Sequence, residues 1–346
     1  MRAPVFKGVG KPLVIENLPD PTPGPGELLL KVGRCGICGT DLHMTDGHAQ
    51  TFPEESVIGH EFAGTVEAVG KAVEHFRVGD VVAALPVVGC GVCGNCKSGE
   101  PMWCDQGMIG IQGGFGQYAI AKASAAIKLP KSLTMEDGAL VEPLAVSLHG
   151  VTLAQITPGA RVLVQGAGPI GVGAAYWAKH VGAGRVAVTA RSKRGEAMAL
   201  QLGADRFLPA DENLQHELEA ALGGLPDVVF ECTGATGMIA QAVNLVRPRG
   251  TVVILGNCML ADTFYPAQAM FKQVRIQGSM IYSVKEFETV ARSFDAGDVD
   301  PRKMVTDTVN YEQLPAAFEA LRTTRHQCKV MVNPWESAGV DRGSTK

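Results

Sequence analysis

The stretch CGVCGNCKSGEPMWC sets Cys90, Cys93, Cys96 and Cys104 in a C-x2-C-x2-C-x7-C array. Two-residue gaps let successive thiolates converge on one tetrahedral ion at roughly 2.3 Å, and the longer gap brings the fourth in from the other side. Four thiolates leave no open coordination position, so the expected ion is a structural zinc. An iron–sulfur cluster is the competing occupant, because ferredoxin-type runs also use C-x2-C-x2-C. Earlier in the chain, RCGICGTDLH (34–43) and GHEFAG (59–64) offer Cys38 and His60 as ligands for a second ion, with Glu61 adjacent. LVEPLAV (140–146) adds Glu142, an acid before a proline in an apolar stretch, where a carboxylate without a role is costly to bury. One Cys, one His and one or two carboxylates leave room for water or substrate, which marks a catalytic zinc. Taken singly, the same residues also fit two buried thiols and an ordinary turn.

A third constellation is RVLVQGAGPIGVGAAYWAKHV, with Gly166, Gly168 and Gly171 as G-x-G-x-x-G between an expected strand and helix. The first glycine makes the turn, the second lets a pyrophosphate approach the backbone, and the third allows close helix–strand packing. The helix start, with Pro169 and Ile170, faces the phosphates. The acid that usually binds the adenosine ribose is due about 20 residues further on. Position 190 is instead alanine, within TARSKRG (189–195). An Asp there would repel a 2′-phosphate, whereas Ala190 makes room and Arg191 with Arg194 can bind it. The expected cofactor is therefore NADP(H), with NAD(H) as the alternative and a solvated basic helix start as the plain reading of the cations. Thr233, Leu255 and Gly256 are also expected at the cofactor site.

These residues need two kinds of scaffold. Residues 1–150 hold short apolar runs bounded by Gly or Pro, such as ELLLKV (27–32), GTVEAV (64–69) and DVVAAL (80–85), which read as strands. From about 158 strands alternate with helices: RVLVQ (161–165), RVAVT (185–189), RFL (206–208), DVVFEC (227–232), TVVILG (251–256) and VRIQG (274–278). Six such strands predict a doubly wound parallel sheet in an α/β fold. A helix, VKEFETVARSF, and a last strand, KVMVN (329–333), then return to the first domain, and the final dozen residues read as a loose tail. A chain of 346 residues exceeds one core's usual size, and 42 glycines with 19% charged residues suit a sheet buried on both faces. A net charge of −4 without a basic run argues against a nucleic-acid partner. No segment approaches the roughly 18 apolar residues of a membrane helix, and MRAPVFKGVG lacks a signal-peptide core. A soluble, cytoplasmic protein with reduced thiols is expected.

The ordered set CGICGTDLH (35–43), GHEFAGTVEAVG (59–70), the four-cysteine lobe, VEPLAVSLHG (141–150) and GAGPIG (166–171) resembles the zinc-dependent medium-chain dehydrogenase/reductase family. It is nearer the polyol, threonine and secondary-alcohol branch than liver-type alcohol dehydrogenases, and the resemblance covers nearly the full length. It implies a GroES-like catalytic domain from residues 1–152 and 281–346, with a zinc lobe at 88–106, around a Rossmann domain at 153–280. Cys38 and His60 fall on the catalytic zinc ligands. Glu142 stands where alcohol dehydrogenases have a second cysteine, and Glu61 can also coordinate in similar polyol and threonine enzymes. Thr40 matches the hydroxyl residue that contacts the reacting oxygen, and His43 the relay that passes the proton outward through the nicotinamide ribose. Cys35 matches no ligand and reads as buried. The implied activity is hydride transfer between a secondary alcohol or polyol, or its ketone, and NADP(H), with two zinc ions per chain. The alternatives are an NADPH-dependent carbonyl reductase and a non-catalytic NADP(H) sensor of the same fold. A homodimer or homotetramer is implied, joined at sheet edges near TVVILG and VRIQG. MTDGHAQTFPEESV after His43 matches no single substrate class, and the short Cys104–Glu142 link implies an open pocket.

Overall fold

The computed structural model describes residues 1–47, 50–323 and 327–335. The expected C-terminal tail lies outside the described residues. The chain divides into two compact units, Met1–Glu142 with Val305–Lys346, and Pro143–Met304.

The first unit is built on a mixed sheet whose longest strands, Glu27–Gly36 and Glu61–Val69, pair antiparallel. Their flanking neighbours are Val81–Ala84, Ala126–Lys128 and, from the end of the chain, Lys329–Val332 and Val305–Val309. Strand Lys329–Val332 runs antiparallel to Glu27–Gly36, with Met331 opposite Gly36 and Val332 opposite Cys35. Alternation sends Leu28, Leu30 and Val32 inward, where they join Phe62, Val66, Phe115, Tyr311 and Phe318 in one core. Each such side chain, fully buried, contributes about 1.5–3 kcal/mol against leaving it in water.

The second unit carries six parallel strands in the order Arg206–Pro209, Arg185–Ala190, Arg161–Gln165, Val228–Glu231, Thr251–Ile254, Arg275–Gly278. In chain order that is 3-2-1-4-5-6, the arrangement of two mononucleotide-binding halves. All six coincide with the expected apolar runs, because a strand covered on both faces reads as continuous Val, Ile and Leu. Helix Pro169–His180 crosses between the first two strands and is buried from Gly171 to Ala178. The helix Met135–Ala154 runs through Pro143 without breaking. Ser147 donates to the Pro143 carbonyl at 3.0 Å, adding a side-chain bond to this stretch of the helix.

Candidate active site

Strand Glu27–Gly36 ends two residues before Cys38, which caps the helix Gly39–Thr45. The Cys38 sulfur accepts the Thr40 N–H at 3.4 Å, and Asp41 Oδ2 accepts the Cys38 N–H at 2.9 Å. The reciprocal pair is a capping box that fixes where the thiol stands. Because Gly36 lies opposite Glu61 in the strand pair, the capped turn falls beside His60 and Glu61. Donor atoms of Cys38, His60 and Glu61 all lie within 4.8 Å of one another.

Asp41 is completely buried, and its Oδ1 lies 3.2 Å from His60 Nδ1, a charge contact without hydrogen-bond alignment. Burial pulls the His60 imidazole down, but Asp41 and Cys38 outweigh it and hold the ring well above the usual histidine range. Asp41 and Cys38 thus favour a positive charge at this ring, and the donor set is the Cys, His and carboxylate mixture that a zinc ion takes. With Asp41 facing Nδ1, the ring's other nitrogen is the one free to ligate.

Glu61 is buried and reaches Lys329 Nζ with both oxygens at 2.7 Å, while Lys329 also donates to the Ile37 carbonyl at 3.1 Å. Gly36 is required here, since any Cβ would run into the Glu61 carboxylate. Glu142 is also buried but stands outside the Cys38–His60–Glu61 triangle. Thr40 is half-buried and His43 exposed on the same helix. Cys35 is buried, which pushes its thiol well up, and its sulfur turns to the Gly36 carbonyl.

Cys90, Cys93, Cys96 and Cys104 bring their sulfurs within 4.8 Å of one another, and all nine cysteines are free thiols. Backbone N–H groups of Asp105 and Cys96 hold Cys93 down at about 6. The Gly91 N–H pulls Cys96 down too, but desolvation and the neighbouring Cys93, Cys104 and Cys90 sulfurs push it up to about 12. Four thiolates this close need a cation to coexist, so the donor set fits a closed tetrahedral metal site. Asn95 ties the lobe together, donating to the Trp103 carbonyl at 2.6 Å and to Asp105 at 3.0 Å.

In the second unit Gly166 has φ +105° and lies against Cys232 and Thr233 of the neighbouring strand end. A Cβ at Gly171 would strike the Gly166 carbonyl, whereas one at Gly168 would meet no protein atom within 4 Å. The loop therefore leaves open backbone at Gly168, ahead of Pro169 and Ile170 at the helix start. Strand Arg185–Ala190 ends beside it, and the turn Lys193–Gly195 packs its last residue on Ala167. Arg191, Lys193 and Arg194 are exposed, and none makes an ion pair or side-chain hydrogen bond with another described residue. Thr233, Leu255 and Gly256 follow the ends of the two adjacent parallel strands.

Three supporting residues escaped the sequence reading. Asp41 carried a signal, the C-x-x-D spacing of a capping box. Lys329 carried none beyond being a lone cation in an apolar strand. Glu231, in DVVFEC, accepts from the Thr233 and Gly234 N–H groups at 2.7 and 3.0 Å, and from the Thr233 hydroxyl, so it shapes the cofactor-side turn.

Residues 24–131 match the alcohol dehydrogenase GroES-like domain and residues 169–296 the zinc-binding dehydrogenase domain. The chain is 35% identical to the L-galactonate-5-dehydrogenase of Escherichia coli strain K12, over 89% of this chain and 92% of that one. Two solved structures superpose on it over 96% of its length and 99% of theirs. One is a Sinorhizobium meliloti 1021 protein assigned as a zinc-binding dehydrogenase, bound to NADP, at 31% identity and TM-score 0.86. The other is the alcohol dehydrogenase rspB of E. coli CFT073, complexed with NADH, at 30% identity and TM-score 0.87.

Proposed function

The chain belongs to the zinc-dependent medium-chain dehydrogenase/reductase family, with a GroES-like domain and a Rossmann-type parallel sheet, and on that premise we propose an NADP(H)-dependent dehydrogenase of polyols or related secondary alcohols. The observation that carries the chemistry is the convergence of Cys38, His60 and Glu61 beside the capped helix of Thr40 and His43. Cys38 and His60 would hold the catalytic zinc, completed by Glu61 or Glu142, and the cysteine quartet would hold a second, structural zinc. When bound, the catalytic zinc polarises the substrate oxygen and acidifies its hydroxyl. Thr40 orients that hydroxyl and takes its hydrogen bond, and His43, on the exposed side of the helix, hands the proton to solvent. In the same reading, two or four copies assemble in the cytoplasm, where cysteines without disulfide partners stay reduced.

Preference for NADP(H) rests on Ala190 and on exposed Arg191 and Arg194, held beside the Gly-rich loop by Gly195 against Ala167. Bound neighbours of the fold carry either NADP or NADH, so the cations decide the argument. Steady-state rates on sorbitol, galactitol, L-galactonate, 2,3-butanediol and 2-propanol test it. NADP⁺ should exceed NAD⁺ in kcat/KM by at least tenfold, and Arg191→Ala should remove most of that margin, in line with about 1.5–3 kcal/mol for a charge-assisted bond. Equal use of both cofactors would mean the three cations are only a solvated helix start.

A further inference from the structure

The helix Gly39–Thr45 carries three assigned residues: Cys38 caps it, Thr40 stands in its first turn and His43 in its last. Seven residues are too few to hold a helix unaided, so its ends must be fixed from outside. The capping box closes the N-terminal end. The C-terminal end is held by Arg322, from the helix Leu314–Thr323 of the same unit.

Arg322 Nη1 donates to the Leu42 carbonyl and Nη2 to Thr45 Oγ1, each at 2.8 Å. Nη1 also lies 2.6 Å from Asp46 Oδ1, at the helix C-cap. The fork is aimed from its own helix, because Nε and Nη2 grip Glu319 at 2.8 and 3.3 Å. The Phe318 ring supports the guanidinium from 5.3 Å. Thr45 passes the hold inward, its hydroxyl donating to the carbonyls of Asp41 at 2.7 Å and Leu42 at 3.0 Å. A planar cation on the last carbonyls also complements the helix dipole.

We propose that Arg322 is a positioning residue for the proton relay, fixing through Leu42, Thr45 and Asp46 the rotation of the helix that presents Thr40 and His43. The inference rests on the relay reading of His43. Loss of this clamp leaves a short helix free to fray from the end that bears His43, while Cys38 stays capped at the other end. Proton transfer then suffers more than metal or cofactor binding.

Arg322→Met, Arg322→Lys, Asp46→Asn and His43→Gln, compared with the parent on the fastest alcohol of the panel, test this. Arg322→Met should keep two zinc ions and the parent's cofactor affinity. Its amides at Leu42–Asp46 should exchange about tenfold faster, and kcat/KM for oxidation should fall about tenfold, a part of the roughly 10²–10⁴-fold that a general acid–base group contributes. Added imidazole, a freely diffusing base, should restore part of that loss, as it should for His43→Gln. Arg322→Lys should recover about half the loss, because an ammonium reaches one acceptor where the fork reaches several. Should Arg322→Met fail to fold, Asp46→Asn carries the test, with a two- to threefold loss and the same imidazole response. A lower melting temperature with unchanged rates, or slowed rates that imidazole does not lift, would reduce Arg322 to a structural role. If His43→Gln itself keeps the parent's rate and ignores imidazole, the relay reading fails first and Arg322 has nothing to position.

Discussion

Glu61 meets Lys329 through both oxygens at 2.7 Å, at 1% and 2% side-chain exposure. Burial draws the ammonium down, yet Glu61 and, at longer range, Cys38 and Glu142 keep it above the usual lysine range. Lys329→Met removes the cation and strands the carboxylate, so the catalytic unit should lose about 3–5 kcal/mol, read as a lower guanidinium midpoint. Glu61→Gln with Lys329→Met should recover much of that loss; a double variant as weak as the single one would contradict the pairing argument. At this scale the sequence was generous wherever spacing carries chemistry. The four cysteines and the glycine triplet stood out because metal and phosphate geometry favour their intervals, whereas Cys38 and His60, far apart in the chain, were expected as ligands through the family resemblance. Lys329 could not, since its partner lies 268 residues away and is set only by strand register. Arg322 was hidden likewise, since it holds the helix of Thr40 and His43 through Leu42, Thr45 and Asp46 from a distant part of the chain, whereas Asp41 left the C-x-x-D spacing of a capping box.

Asp227 precedes strand Val228–Glu231 and ties it to the neighbouring strand Arg161–Gln165. It accepts the Arg161 N–H at 2.8 Å and binds the Arg161 and Arg247 guanidinium groups at 3.2 and 2.5 Å. Burial pushes its carboxyl up, but the Arg161 N–H and the two arginines win and set it at about 2. A depressed carboxylate stabilises above its unfolded value near 3.9, and the contribution fades as pH falls towards the folded value. Asp227→Asn should therefore cost about 1–2 kcal/mol at pH 7, discounted because both arginines are partly exposed. Urea midpoints of the two proteins should keep a nearly constant gap from pH 7 to 5, narrow by about half at pH 3 and converge only below about pH 2. A gap as wide at pH 3 as at pH 7 would assign the loss to packing instead. All six strands of this sheet were legible, since burial on both faces leaves unbroken apolar runs between glycines. The helix through Pro143 was not, because local rules end a helix before proline and only tertiary packing overrides them.

Strand Arg275–Gly278 ends the parallel sheet, pairing among the described residues with Thr251–Ile254 alone. An open edge invites another strand, and proteins that stay monomeric usually blunt it with charge, proline or a covering element. Here the flanking segment does the opposite: Tyr265 is 76% exposed, Phe271 81% and Met270 64%, on or beside the short helix Pro266–Lys272, with Met280 at 51% just past the strand. Exposed apolar side chains beside an open edge suit an interface, and a second copy placing the same edge against this one would satisfy both the strand and the aromatic rings. Sedimentation at micromolar concentration should therefore return about two or four times 36.4 kDa. Phe271→Asp with Met280→Asp should dissociate that pair, because two buried, unpaired carboxylates facing their own symmetry copies cost far more than the edge can return. Cofactor binding should survive, since the Gly-rich loop lies three strands away in the sheet order. A parent protein that sediments at 36.4 kDa would remove the interface, and a charged variant that stays assembled would move it to another face.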